Sequence, residues 1–265
     1  RYADELRVRE RPKVDSLGKK ILEDCSKLKN VRNHIVDWVL IESEASPTDE
    51  FCNALLSFLE DLRGLKSRPP EVNTWNDAWY EAHSLFVYET FLYVVAALLK
   101  TNASQVLHDV FTSHYLLPDT DRYGDNKFDN FDCFYGYSDT LQAELSPPGK
   151  RLFSPAAELI KRQAEREDLP FPSVIEAELL ILLMAFLSSN ARWYPQTLHY
   201  ASYSKDFPFF IRATQHKHFL RLATITGIRD ANQLREAVRE GHKRLEPGKW
   251  YDFHAHDAFW TSMNM

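Results

Sequence analysis

Arginine and histidine side chains in one predicted helix are the first candidates for chemistry in this sequence. Residues 208–225 have apolar side chains at helical intervals, and they include Arg212, His216 and His218. His216 and His218 are two positions apart, so in a helix their imidazoles face different sides and do not share a metal ion. Arg212 and His218 combine a permanent cation, which binds anionic oxygens, with a group that exchanges protons near neutral pH. These two residues are the candidate catalytic residues.

The five-residue interval between Arg212 and His218 resembles the Arg-x4–6-His motif of HEPN ribonucleases, small all-α proteins of bacterial conflict systems. The resemblance implies that the two residues meet across a dimer and cut RNA without a metal ion. His218 would then move the proton of a 2′-hydroxyl and Arg212 would neutralise the phosphate. The family usually has Asn, Asp or His directly after the arginine, whereas this sequence has Ala213. A role as ordinary surface or interhelical polar residues therefore stays open.

A second histidine pair lies in residues 252–256, which read DFHAH. The pattern resembles the Asp-x-His-x-His metal signature of amidohydrolase-type barrels, where imidazoles two apart on a strand point the same way. In those enzymes the motif lies on an early strand and further ligands follow, whereas nine residues follow His256 here. His254 and His256 are the candidates for a metal site, but nothing earlier in the sequence indicates a barrel. We expect no metal and no other cofactor.

Glu89 is a carboxylate surrounded by apolar residues in the stretch FVYETFLYVV. A buried carboxylate needs a partner or a raised pKa. One interpretation is a structural ion pair with an arginine of a neighbouring helix. The other is a ligand pocket, because Tyr88 and Tyr93 are close in sequence and could line a cavity with Glu89.

The element expected to organise the fold is residues 75–100, a segment rich in aromatics and without Gly or Pro. Thr74, with Asp77 three positions later, predicts the start of this helix. Most of the circumference of the helix is apolar, which predicts burial on several sides. Helical spacing recurs along the rest of the sequence, and strand alternation is ambiguous only at residues 197–203.

The predicted fold is therefore all-α, either an irregular multi-helix bundle or a TPR-like helical array around the long buried helix. Residues 1–15 are a charged leader or linker, and residues 16–265 form a single all-helical domain, with a subdivision open near 118–150.

Composition excludes several classes of protein. The 265 residues are 44% hydrophobic and 26% charged, as in ordinary globular proteins, and the net charge of −6 gives no overall attraction to nucleic acid or anionic membranes. The three cysteines (Cys25, Cys52 and Cys133) are widely separated, so we expect no disulfides and a cytoplasmic location. The most apolar run, residues 174–187, is shorter than the ~20 residues of a membrane span.

The segments YETFLYVVAALLK, VLHDVFTSHYLL and NARWYPQTLHYA resemble helical regions of multidomain bacterial phage-defence proteins. The sequence has no Gly-x-Ser-x-Gly elbow and no Walker loop. We therefore expect a helical module for protein–protein interaction, oligomerisation or regulation in a bacterial defence or stress protein, with a protein partner or a second copy. A metal-independent HEPN-type ribonuclease and a small-ligand-sensing domain are the alternatives. RNA stays open as a partner, because Arg212, Lys217 and Arg221 alternate with aromatic residues.

Overall fold

Helices dominate the structure, a computed structural model that describes residues 1–13, 16–45, 47–118, 127–201 and 207–245. Within these ranges the α-helices are α1 (Tyr2–Glu5), α2 (Leu17–Glu44), α3 (Asp49–Gly64), α4 (Glu81–Lys100), α5 (Ser104–Thr112), α6 (Gln142–Leu145), α7 (Pro155–Gln163), α8 (Phe171–Leu187), α9 (Pro208–Ala213), α10 (His216–Thr226) and α11 (Ala231–Leu245). Short 3₁₀ turns span Asp77–Tyr80, Phe131–Phe134 and Thr197–Tyr200. Strands β1 (Tyr115–Leu116) and β2 (Phe128–Asp129) form one antiparallel pair.

The prediction of an all-α fold around a long buried helix is confirmed, since 66% of the structure is helical and 2% is strand. The ambiguous residues 197–203 begin as the 3₁₀ turn Thr197–Tyr200, and residues 202–203 lie outside the described ranges. Buried apolar side chains from α1 to α11 belong to one contiguous cluster.

Helix α4 lies at the centre of this cluster. Sixteen of its 20 residues are buried, and α2, α5 and α8 pack against it. Because α4 is apolar on all sides, it is stable only when other helices enclose it. The helix begins later than the sequence predicts. Asn76, and not Thr74, caps the preceding 3₁₀ turn, and its Oδ1 accepts a hydrogen bond from the backbone N–H of Ala78 at 2.9 Å.

Among the described residues, one helix is long and apolar enough to cross a membrane, the continuous segment Asp77–Lys100. However, 89% of its apolar window is buried inside the fold. Such burial is typical of the core helix of a globular fold.

The charged leader contacts the body of the protein. Arg7 donates to the carbonyl oxygens of Gly64 at 3.2 Å and Ser67 at 3.0 Å, beyond the end of α3. At the start of α4, His83 Nε2 lies 2.8 Å from the carbonyl oxygen of Ala3. These contacts hold α1 against the junction of α3 and α4.

A buried ion pair joins α2 to α4. Arg32, with 0% exposure, donates to the carboxylate of Glu89, and its guanidinium also lies 4.3 Å from the centroid of the Tyr93 ring. Burial raises the pKa of Glu89, and the positive charge of Arg32 opposes that rise. Two charges removed from water are stable here only as a pair.

A second buried carboxylate, Glu178 of α8, has no cation beside it among the described residues. Its Oε1 accepts hydrogen bonds from the Tyr88 hydroxyl, from Trp193 Nε1 at 3.2 Å and from the backbone N–H of Gln196 at 3.1 Å. Its Oε2 accepts hydrogen bonds from the backbone N–H of Thr197 at 2.6 Å and from the Thr197 hydroxyl at 2.5 Å. Burial raises the pKa of Glu178, whereas these donors lower it. Glu178 thereby fastens the segment after α8 to α4.

Helix α11 approaches α8 closely at Gly241. A Cβ atom at this position would lie 1.8 Å from the carbonyl oxygen of Phe186, which is far closer than atoms can pack. Arg244, one turn later, donates to the carbonyl oxygens of Ala185 at 2.8 Å and of Ser188. A side chain at Gly241 is therefore incompatible with this contact.

We expect Glu89→Leu to lower the free energy of unfolding by about 3–5 kcal/mol, because Arg32 would remain buried without its carboxylate. The double variant Arg32→Met/Glu89→Leu removes both charges and should regain most of that loss. Denaturant unfolding, monitored by circular dichroism, measures the free energy of unfolding of both variants. A single variant as stable as the wild type would contradict the proposed pairing.

We expect Gly241→Ala to destabilise the protein by about 1–3 kcal/mol, because α11 must move away from α8. Gly64→Ala is the matched control, since a Cβ there meets no atom within 4 Å. The control should leave stability unchanged or raise it by up to about 1 kcal/mol. Equal melting temperatures for the two variants would show that α11 does not pack as described.

Candidate functional site

Arg212 and His218 line the same cleft, which lies between the end of α4, the start of α8 and the pair α9–α10. Its volume is about 340 Å³. The polar residues that line it are Lys100, Asn102, Asp168, Ser173, Glu176, Arg212, His218 and Arg221. The cleft is the candidate functional site because it brings together both residues that the sequence singles out.

A break in the helix brings these two residues together. The sequence predicts one helix over 208–225, but the structure has α9 and α10, with Gln215 extended between them. On a continuous helix, residues six positions apart point about 120° away from each other. The bend at Gln215 instead allows Arg212 of α9 and His218 of α10 to face one cleft. The prediction of a single helix is therefore wrong, and the interruption creates the site.

The end of α4 forms one wall of the cleft. Asn102 has a left-handed conformation with φ of 63°, and the backbone N–H groups of Ala103 and Asn102 donate to the carbonyl oxygens of Leu98 and Leu99 at 3.0 and 3.3 Å. This arrangement is the usual left-handed helix end. Nη2 of Arg221 also donates to the carbonyl oxygen of Leu99, at 3.3 Å. Helix α10 is thus attached to the wall by one of its own cleft residues.

Glu176 of α8 holds the start of α9. Its Oε1 accepts a hydrogen bond from the backbone N–H of Phe209 at 2.7 Å, and the Arg221 guanidinium lies 5.5 Å from the centroid of the Phe209 ring. Burial raises the pKa of the Glu176 carboxyl, while the Phe209 hydrogen bond and the charge of Arg212 lower it. Glu176 is therefore a half-buried carboxylate beside cationic groups.

Positive charge is concentrated in this part of the chain. Residues 207–245 contain eight Lys and Arg residues and three Asp and Glu residues, although the whole chain carries a net charge of −6. Within the described ranges, the exposed Arg212 guanidinium forms no hydrogen bond or ion pair. Burial lowers the pKa of Arg221, and the nearby charge of Arg212 lowers it further. Two guanidinium groups thus lie close enough to repel each other.

Several donors in the cleft have unused capacity. In the described part of the chain, the buried Nε of Arg221 has no hydrogen-bond partner. Lys100 uses one of its three protons for the carbonyl oxygen of Asp168, at 3.0 Å. The Asp168 carboxylate, in contrast, is engaged, since it accepts two hydrogen bonds from Arg166 at 3.0 and 2.7 Å. The cleft therefore has more free donors than free acceptors.

The other residues singled out from the sequence lie elsewhere. Glu89 lies in the buried ion pair with Arg32 and does not line the cleft. His254 and His256 lie outside the described residues.

The sequence did not indicate Lys100 or Glu176 as members of the site, and it indicated Arg221 only as part of a basic aromatic stretch that could contact RNA. Arg221 carried a signal, because it lies three positions after His218 and so shares its helix face. Glu176 interrupts the apolar run of α8, but nothing in the sequence links it to α9.

Comparisons of the chain with protein-family models, with curated proteins and with solved structures found no match. The cleft itself is therefore the basis for any functional conclusion.

Proposed function

We propose that this protein is a non-enzymatic helical regulatory module whose α4–α8–α9–α10 cleft binds a small phosphate-bearing ligand. The observation that carries the proposal is the exposed guanidinium of Arg212, which is unpaired within the described ranges and shares the cleft with Arg221. Guanidinium groups bind phosphate through charge-assisted and often paired hydrogen bonds. A phosphate between Arg212 and Arg221 would remove their mutual repulsion and give the Arg212 guanidinium an acceptor.

Ligand binding would also change the stability of the module. The cleft residues come from α4, α8, α9 and α10, so a ligand that fills the cleft would connect α9–α10 to the core helices. A ligand that binds the folded form alone stabilises that form by RT ln(1 + L/Kd), where L is the free ligand concentration. Because ligand binding changes the stability of the module, we propose that it regulates how the module contacts a protein partner or a second copy of itself. The proposed setting is a bacterial defence or stress protein, on the resemblance of the helical segments.

A second candidate function, metal-independent cleavage of RNA, is favoured by one observation. Arg212 and His218 line a single cleft within one chain, together with Glu176, whose pKa is raised by burial. A carboxylate and an imidazole can act as the base and the acid of such a reaction. The Glu176 carboxylate would take the proton of the 2′-hydroxyl as its oxygen attacks the phosphorus, and the 5′-oxygen would leave with a proton from the His218 imidazole.

We expect phosphate to bind the protein at low ionic strength and Arg212→Ala to weaken that binding by about 10- to 100-fold, as for hydrogen bonds to charged groups. Isothermal titration calorimetry with inorganic phosphate measures the affinity. Arg229→Ala is the matched control, because Arg229 is exposed and does not line the cleft. Absence of phosphate binding, or equal loss in both variants, would contradict the proposal.

The ribonuclease candidate predicts that the protein cleaves an RNA oligonucleotide in EDTA and leaves a 2′,3′-cyclic phosphate. His218→Ala and Arg212→Ala should each abolish cleavage, whereas Arg229→Ala should not. DNA of the same sequence should stay intact because it has no 2′-hydroxyl. Gel electrophoresis of the labelled strands reports cleavage, and uncut RNA at high protein concentration would eliminate this candidate.

A further inference from the structure

The carboxylate of Glu176 lies in a cleft that also contains the cationic side chains of Lys100, Arg212 and Arg221. One of its oxygens accepts the backbone N–H of Phe209 at 2.7 Å. In the part of the chain that the structure describes, its other oxygen has no hydrogen bond, and the carboxylate forms no ion pair. A charged acceptor thus remains open beside the guanidinium groups of Arg212 and Arg221.

A carboxylate at this place opposes the binding of an anion that carries no donor. The negative charge repels the phosphate, and the open oxygen would lose water without gaining a partner. A ligand with a hydroxyl group next to its phosphate avoids the loss of a hydrogen bond at the open oxygen of Glu176, because the hydroxyl donates to that oxygen. Sites that hydrogen-bond a hydroxyl discriminate strongly against ligands that lack it, because their own polar group is then left unpaired.

The other carboxylate of the cleft, Asp168, is already engaged. Both oxygens of Asp168 accept hydrogen bonds from Arg166, and Arg166 also pairs with Asp37 at 2.7 Å. Glu176 is therefore the carboxylate with capacity for a ligand.

We infer that the cleft selects a phosphate monoester with a hydroxyl group on a neighbouring carbon, as in a sugar 1-phosphate or a nucleoside 3′-monophosphate. Arg212 and Arg221 bind the phosphate and Glu176 accepts the hydroxyl. The volume of about 340 Å³ is near the lower end for small-molecule sites, which fits a ligand of this size. This inference rests on the proposed function, because it assigns the rest of the ligand whose phosphate the arginines bind.

The test compares two phosphate monoesters of similar size, glycerol 3-phosphate and n-propyl phosphate, which differ in two hydroxyl groups. We expect the wild-type protein to bind glycerol 3-phosphate about tenfold more tightly, the value of one added hydrogen bond to a charged group. In Glu176→Gln the amide oxygen still accepts the Phe209 N–H, but the amide nitrogen can only donate to the hydroxyl oxygen, so a neutral hydrogen bond replaces the charge-assisted one. The variant should therefore prefer glycerol 3-phosphate by a smaller factor than the wild type does, and it should bind n-propyl phosphate at least as tightly as the wild type does.

The affinity for glycerol 3-phosphate should fall in Glu176→Gln, while the affinity for n-propyl phosphate should not. This difference separates ligand recognition from a structural role, because a disturbed cleft would bind both esters more weakly. Equal affinities of the wild-type protein for the two esters, or an unchanged preference in Glu176→Gln, would overturn the inference and leave phosphate binding intact. If neither ester nor inorganic phosphate binds, the proposed function itself fails.

Once the hydroxyl preference is measured, ribose 1-phosphate and adenosine 3′-monophosphate distinguish the two sources of this chemistry, because each carries a hydroxyl group on the carbon next to the phosphate-bearing carbon. Tighter binding of the nucleotide assigns the ligand to nucleotides, and tighter binding of ribose 1-phosphate assigns it to free sugar phosphates. Weaker binding of both than of n-propyl phosphate would overturn the inference.

Discussion

Complete enclosure of α4 is the constraint on which the rest of the structure depends. A helix that is apolar on every side must be covered on every side, and a buried polar group on it is costly unless it finds a partner inside the protein. Glu89 meets this demand through Arg32 of α2, and Tyr88 meets it through Glu178 of α8. The neighbouring helices therefore contact α4 through specific polar pairs as well as apolar packing, and these pairs determine which helix lies on which side.

The cleft lies where this enclosure ends. At Leu99 and Lys100 the helix emerges from the core, and its last carbonyl groups need donors from outside the helix. Backbone N–H groups of the following turn satisfy part of this need, and Arg221 of α10 contributes another donor. Arg221 is in this way both a helix cap and a cleft residue. Its position is set by the packing of α10, so the site depends on the fold rather than on a mobile loop.

The sequence was sufficient for the helical class, for the central helix and for the pairing of Glu89 with an arginine as one of two alternatives. These features follow from apolar periodicity and from the cost of burying a lone charge, both of which are local properties of the chain. The cleft depends on the break at Gln215, where neither Pro nor Gly marks an interruption. Phe210 and Leu222, on either side of the break, are both buried in the hydrophobic core, and such long-range contacts have no local signal in the sequence. For the same reason the hydrogen bond from Phe209 to Glu176, 33 positions apart, was not predictable.

Two glutamates on α8 show how a structural carboxylate differs from one that is available to a ligand. Glu178 and Glu176 are two positions apart, so they lie on different sides of the helix. Glu178 faces the core and accepts hydrogen bonds on both oxygens from five donors, which leaves it no capacity for another partner. Glu176 faces the cleft and accepts one hydrogen bond from the chain as described. Burial raises the pKa of both carboxyls, so the pKa alone does not distinguish them. The difference is in hydrogen-bond capacity, and it places the recognition of a ligand at Glu176 and the stability of the fold at Glu178.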